Sequence, residues 1–329
     1  MSTAAPLLEI ADLTVHFGSR GLIPGFSRPP VKAVNTVSLS LRPGEALGLV
    51  GESGSGKSTL GRAILRLGEL TSGSVLFDGV DMAHAGAEDI ARLRRETALI
   101  FQDPYGALNP RMRVGDAIGE VLRVHGKVSA DAVEARVHEL LELVGLGPGF
   151  ARHRPGDLSG GQCQRVGIAR ALAMEPKLVV ADECVAALDV SIQGQIINLL
   201  MELRSRIGMA MIFIAHDLAI VRRLCDRVAV MYLGRIIEEG PTETVFAAPR
   251  HPYTASLIRA IPDIDPDRSL PADPLSGEPP SPLALPPGCA FHPRCSQALA
   301  RCRTGAPPPL EGQGPHKAAC ILPPEAVVL

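Results

Sequence analysis

Four short apolar runs constrain this 329-residue chain more than any other feature in it. They are Ala46–Val50 (ALGLV), Thr97–Phe101 (TALIF), Leu178–Ala181 (LVVA) and Ala210–Ala215 (AMIFIA). Each is nearly continuous rather than alternating, the pattern of a strand buried on both faces of a parallel sheet. From about Leu7 to Gly240 such runs alternate with helical segments, as stacked β-α units do. Every run stops abruptly at a polar group: GESGSGKST, Gln102, the pair Asp182–Glu183, and His216. In open α/β sheets the ligand lies beyond the carboxyl ends of the strands, so these four groups are expected to form one active site.

Composition narrows the partners. The net charge is −2, which provides no global basic surface for nucleic acid. The opening MSTAAPLLEIADLTVHF lacks the charged and long apolar regions of a signal peptide. No apolar run approaches the roughly 18 residues of a membrane span. A cytosolic setting is expected, where structural disulfides are rare and clustered cysteines more often bind metal. The length favours one large domain with an appendage, and residues 262–287 carry nine prolines, too many for a helix or a central strand. That run reads as a linker or irregular arm.

Gly51–Ser58 fits G-x-x-x-x-G-K-[ST] in full, with an apolar strand before it and the helix LGRAILRL after it. Glycines at Gly51, Gly54 and Gly56 permit a backbone that aims successive N–H groups, with Ser53, Ser55 and Thr59 around them, at phosphate oxygens. The helix start adds its dipole. Lys57 is expected to reach the β- and γ-phosphates of ATP and the Ser58 hydroxyl to ligate Mg²⁺. Asp182 can hold the same ion, and Glu183 can orient or deprotonate a water. Further on, LSGGQ (Leu158–Gln162) places Ser159 as a helix N-cap before Gly160, Gly161 and Gln162, a second helix start with exposed donors. One domain has little use for two such sites unless the second serves another molecule's nucleotide.

Taken together, the chain resembles the ATP-binding subunits of ABC transporters over nearly its whole length. Gly51–Ser58 matches the Walker A loop, Gln102 the Q-loop glutamine, LSGGQ the signature, LVVADE the Walker B strand, Ala186–Asp189 the D-loop and His216 the switch histidine. Phe17 matches the aromatic that stacks on adenine; a core phenylalanine on a strand is the other reading of that position. The stretches FQDPYGALNPRMRVGDAI, LDVSIQGQIINLL and HPYTASLIRAIP are similar to the oligopeptide and dipeptide importers, nearer the second of their two paired ATPases. The chain departs from the family at Cys184 (usually proline), Ala186 (usually serine) and Cys163 (usually arginine), none of which touches the phosphate machinery.

The resemblance implies an α/β P-loop NTPase fold. A nucleotide-binding domain (1–245) would have a RecA-like core with an antiparallel β edge, interrupted by a helical subdomain at about 102–164. A small irregular C-terminal region (246–329) would follow. It implies two ATPs sandwiched head to tail between two such domains, each between one Walker A loop and the other subunit's LSGGQ. Glu183 would be the general base, Asp182 and Gln102 would complete the Mg²⁺ shell, and His216 would contact the γ-phosphate. The implied partners are a distinct second ATPase in a heterodimer, two membrane permeases and an extracytoplasmic solute-binding protein. The implied place is the cytoplasmic face of the inner membrane. Relatives of this kind serve peptides, nickel, glutathione and sugars, and the choice lies with the binding protein and permeases. A soluble ABC ATPase of DNA repair or translation is the main alternative, disfavoured by the single ABC unit and the lack of a basic tract. A P-loop enzyme that phosphorylates a small molecule is another, disfavoured by the LSGGQ helix.

Four of the seven cysteines, Cys289, Cys295, Cys302 and Cys320, follow the proline-rich run with five, six and seventeen residues between them. Zinc modules usually carry pairs two to four residues apart, so the spacing fits zinc poorly. Four thiolates can instead cap a [4Fe–4S] cube, one per iron. Zinc and free or disulfide-bonded thiols remain the alternatives. The stretch GCAFHPRCSQALARC with the later HKAAC also resembles the tail of peptide-importer ATPases that carry such a cluster. His292 and His316 read as incidental to it.

Overall fold

The apolar runs become strands, and the two kinds of sheet differ as their patterns require. The computed structural model describes residues 5–18, 29–261, 275, 277–312 and 314–327. From the N-terminus come β1 (Leu8–Phe17), β2 (Val31–Leu41), β3 (Ala46–Val50), α1 (Lys57–Ile64), β4 (Ser72–Phe77) and β5 (Val80–Asp81). The middle carries α2 (Ala87–Glu96), β6 (Thr97–Ile100), α3 (Val114–Val124), α4 (Val133–Leu143), α5 (Gly160–Leu172), β7 (Leu178–Asp182), α6 (Val190–Ile207) and β8 (Ala210–Ala215). Then follow α7 (Leu218–Leu224), β9 (Arg227–Tyr232), β10 (Arg235–Pro241), α8 (Thr242–Ala247), α9 (Pro252–Arg259) and β11 (Lys317–Ala318). Most of the insertion GSRGLIPGFSRPP and half of the expected linker at 262–287 lie outside the described residues.

The chain forms two compact units. The first gathers residues 1–41, 46–84 and 214–329; the second gathers 42–45 and 85–213. The first unit holds an antiparallel sheet of order β2-β1-β4-β5. In β2, Val37, Leu39 and Leu41 are buried while Ser38 and Ser40 face out, the period-two pattern of a half-covered sheet. The same unit carries the strand run β11-β10-β9-β3, in which β3 and β9 are parallel and β9, β10 and β11 antiparallel. All five residues of β3 are buried, and Gly48 is small because Val221 and Cys225 of the α7 segment pack where a Cβ would stand.

In the second unit β7 is wholly buried and β6 runs parallel to it; β8, whose last two residues fall in the first unit, is wholly buried too. The run Thr97–Phe101 departs from expectation. Only Ile100 is buried, and Phe101 is 47 % exposed beyond the strand. The cause is position: β6 is the edge strand of its sheet, so only β7 pairs with it. The helices α3, α4 and α5 pack together here, α3 burying Ile118 and Leu122 and α4 burying Leu140 and Leu141. Among the described residues no helix is long and apolar enough to cross a membrane.

The C-terminal region is part of the first unit, built of short 3₁₀ turns and the two-residue β11 paired with β10. Its tie is Glu238, a fully buried carboxylate on β10. One oxygen accepts from the Arg250 amide at 2.7 Å and lies 2.8 Å from His316 Nε2; the other accepts from the His251 amide at 3.0 Å. Glu238→Ala removes all three partners' acceptor and leaves their polar groups buried. It is expected to cost about 2–4 kcal/mol of unfolding free energy, checked by denaturant titration followed by circular dichroism.

Candidate functional site

In the first unit the strand β3 delivers the chain into the phosphate-binding loop. Gly51, Gly54 and Gly56 have φ of 149°, 78° and 104°, a region that glycine enters without a Cβ penalty. At Gly51 a Cβ would run into the Met231 carbonyl, and at Gly56 into the Ala33 carbonyl. Ser55 accepts from the Gly234 amide at 2.9 Å, joining the loop to the β9–β10 turn. Lys57, the first residue of α1, is buried, and its ammonium donates to the carbonyls of Gly51 at 2.7 Å and Glu52 at 3.0 Å. His216, just past β8, is exposed, and the next residue, Asp217, caps α7 by accepting from the Ala219 amide at 2.8 Å.

In the second unit β7 carries Asp182 at its end, buried to 6 % exposure, with Glu183 immediately after it. Glu183 has a φ of 46°, a left-handed conformation that a glutamate adopts only where its surroundings impose it. Gln102 Nε2 donates to Glu183 Oε2 at 2.9 Å, so the Q-loop position and the expected base stand together. Ser159 caps α5 through a reciprocal pair: its hydroxyl accepts from the Gln162 amide at 3.3 Å, and Gln162 Oε1 accepts from the Ser159 amide at 2.9 Å. The Gln162 side chain therefore serves the cap, while Gly160 and Gly161 begin the helix.

Phe17 is 55 % exposed at the end of β1, so it is not a core residue. Cys184 and Cys163 are buried, and burial pushes their thiols up to about 12 and about 11. Both are inert packing groups.

Cys289, Cys295, Cys302 and Cys320 line one pocket of the first unit, together with Phe291 and His292, and none forms a disulfide. Burial raises the thiols of Cys289, Cys295 and Cys320, and each is raised further by charge on a neighbouring cysteine of the set. Among the described residues no group of three or more His, Cys, Asp or Glu is arranged to hold a metal ion. His316 is bound to Glu238, away from the pocket's lining, and His292 Nδ1 lies 2.9 Å from the Cys289 carbonyl.

Two contacts on the loop have no signal in its motif. Glu52 gives its amide to Tyr253 Oη at 2.9 Å, and its carboxylate receives the Arg294 guanidinium. Both partners sit in stretches quoted above for their family likeness, HPYTASLI and GCAFHPRC, where nothing marks them as neighbours of a loop some 200 residues away.

Comparison with known proteins decides the family. Residues 34–186 match the ABC transporter family, and residues 237–302 match the oligopeptide/dipeptide transporter C-terminal region. The chain belongs to the ATP-binding subunits of ABC transporters. A probable peptide ABC transporter ATP-binding protein of Sinorhizobium fredii is 49 % identical over 302 residues, covering 92 % of this chain and 86 % of the relative. The oligopeptide transport ATP-binding protein OppF of Salmonella typhimurium is 48 % identical over 320 residues, 96 % of each chain. Among solved structures, a dimeric ATP-binding cassette in a post-hydrolysis state with ADP and phosphate is 29 % identical. It aligns with a TM-score of 0.63 over 71 % of this chain and 98 % of its own. The chain is thus an ABC ATPase with a P-loop NTPase fold.

The loop geometry makes one outcome specific. Gly51→Ala would need a Cβ where the Met231 carbonyl stands, in a backbone region alanine avoids. It is expected to reduce ATP binding at least tenfold, measured with a fluorescent nucleotide analogue, while the far-ultraviolet circular dichroism stays unchanged.

Proposed function

We propose that this chain is the ATP-hydrolysing subunit that powers import of di- and oligopeptides, or a related solute, through an ABC transporter. The single observation that carries the reading is the joint match. The ATP-binding part and the C-terminal region both align with peptide-importer subunits, within relatives 46–49 % identical over more than nine tenths of this chain. A soluble ABC ATPase of repair or translation would have no reason to carry the second part.

The residues then take roles their settings fit. The loop amides and Lys57 hold the phosphates, and Phe17, exposed at its strand end, is free to stack on adenine. Ser58, Gln102 and Asp182 would hold Mg²⁺, which would neutralise phosphate charge. Asp182 stands buried at the end of β7, where a strand end presents its carboxylate as one of those ligands. Glu183 takes the proton of the attacking water, held by Gln102 at 2.9 Å, and His216 contacts the γ-phosphate. Ser159, Gly160 and Gly161 present their helix start to the nucleotide of a partner ATPase. That partner is a distinct sister subunit, and the pair docks on two permeases fed by an extracytoplasmic binding protein, on the cytoplasmic face of the membrane.

Reconstitution tests both claims. With permeases and the sister ATPase, the parental chain is expected to hydrolyse ATP in a cargo-dependent way, and feebly with the permeases alone. Glu183→Gln should lower kcat by about 100-fold or more while ATP still binds. Full hydrolysis by that variant removes Glu183 from the role, and robust cargo-coupled hydrolysis without the sister subunit removes the heterodimer.

The cysteine pocket is proposed to hold a [4Fe–4S] cluster. Its support is that four thiols line one pocket, the number such a cube takes at one thiolate per iron. When bound, the cluster would cross-link a segment with little apolar sequence of its own. Anaerobic purification is expected to give about four irons and four sulfides per chain with a broad visible absorption. Zinc without iron, or no metal, overturns it, as does a Cys295→Ser protein with full iron content.

A further inference from the structure

We propose that Arg294, inside the cysteine segment, is a positioning residue for the phosphate-binding loop, acting through Glu52 to set the affinity for ATP. Glu52 is the second residue of the loop and is held from three sides. Its carbonyl accepts from Lys57 at 3.0 Å, its amide donates to Tyr253 Oη at 2.9 Å, and its carboxylate takes the Arg294 fork at 2.6 and 2.9 Å. The pair is shielded: the Arg294 side chain is 4 % exposed and that of Glu52 28 %. A two-point ion pair so placed differs from a surface salt bridge, which water and salt weaken.

The guanidinium is itself fixed. Tyr232 Oη lies 3.5 Å from it, and the Tyr232 ring sits 6.0 Å below. Phe291, three residues before Arg294, packs against Tyr232 and Tyr253 with ring centroids 5.4 and 5.3 Å away. Arg294 ends the short turn His292–Arg294, with Cys289 and Cys295 on either side. The bond to Glu52 holds the guanidinium charged, its pKa raised above the ordinary arginine value.

The consequence falls on binding rather than chemistry. The Glu52 carbonyl is one of two that receive the Lys57 ammonium and also accepts from the Ser55 amide at 3.2 Å, and the N–H of the same peptide, that of Ser53, belongs to the run of amides that must face phosphate. Releasing the Glu52 side chain lets that peptide rotate, which misplaces donor and lysine together. Glu183 and its water are untouched.

The inference rests on the reading of Gly51–Ser58 as the ATP loop, and Lys57→Ala tests that reading separately. The experiment uses the full chain, with a fluorescent ATP analogue, steady-state kinetics in the reconstituted transporter, and thermal melting. Arg294→Met and Glu52→Gln are each expected to raise Kd and KM for ATP roughly tenfold with kcat within about twofold. The double variant should be no worse than either single one, and Arg294→Lys, which keeps charge without the fork, should fall between. Should Arg294→Met fail to fold, Glu52→Gln and Arg294→Lys carry the same test. Parental Kd in a folded Glu52→Gln protein, or effects that multiply in the double variant, overturn the proposal. Loss of binding in Lys57→Ala beside unaffected Glu52 and Arg294 variants discards this inference and leaves the ATP loop standing.

Discussion

A loop that binds phosphate with its backbone cannot hold its own shape. Its donors must face inward, its glycines give up side chains to allow this, and little remains to pack it. The shape has to be imposed from outside, and here the first unit imposes it. The Met231 carbonyl stands against Gly51, the Ala33 carbonyl against Gly56, and the Gly234 amide holds the Ser55 carbonyl. Tyr253 and Arg294 fasten Glu52. Strands β2 and β9, the β9–β10 turn, α9 and the C-terminal segment thus all contribute to one loop of eight residues.

That dependence explains which parts were legible in the sequence. The strands β3, β7 and β8 were, because residues buried on both faces must be apolar in unbroken runs. The loop and the signature helix were, because glycine at a positive φ and a capping serine are chemical necessities that leave a local pattern. Edge effects were not. Thr97–Phe101 is as apolar as its neighbours, yet its strand lies at the sheet edge beside a single partner and Phe101 stands exposed past the strand's end. Long-range partners were invisible for a different reason. Glu52, Tyr253 and Arg294 are ordinary residues in their own stretches, and only folding brings them together. The strand β11 is two residues long, too short for any periodicity, and is recruited by the exposed edge of β10.

The cysteines separate into two classes on physical grounds that sequence hinted at only through spacing. Cys163, Cys184 and Cys225 are buried, and a buried thiol packs as a small hydrophobe. Cys184, standing where the family usually has proline, follows Glu183 directly and is buried, with its thiol pushed up by that burial. The other four share a pocket, where burial raises the thiols of Cys289, Cys295 and Cys320.

A transporter ATPase gains little from electrons, so a cysteine-rich tail needs a mechanical reason, and the position of Arg294 provides one. A guanidinium is useful as a clamp only if its backbone is fixed, since a mobile arginine forfeits to entropy what the fork gains. The segment from Gly288 to Cys302 has no helix or strand to fix it, only short turns. Phe291 plugged between Tyr232 and Tyr253 secures one side, and the Glu238 clamp on His316 secures the returning chain. The four thiols line one pocket beside Phe291 and His292. A cross-link at that point would hold the turn His292–Arg294 at both ends, and with it the residue that reaches the phosphate loop.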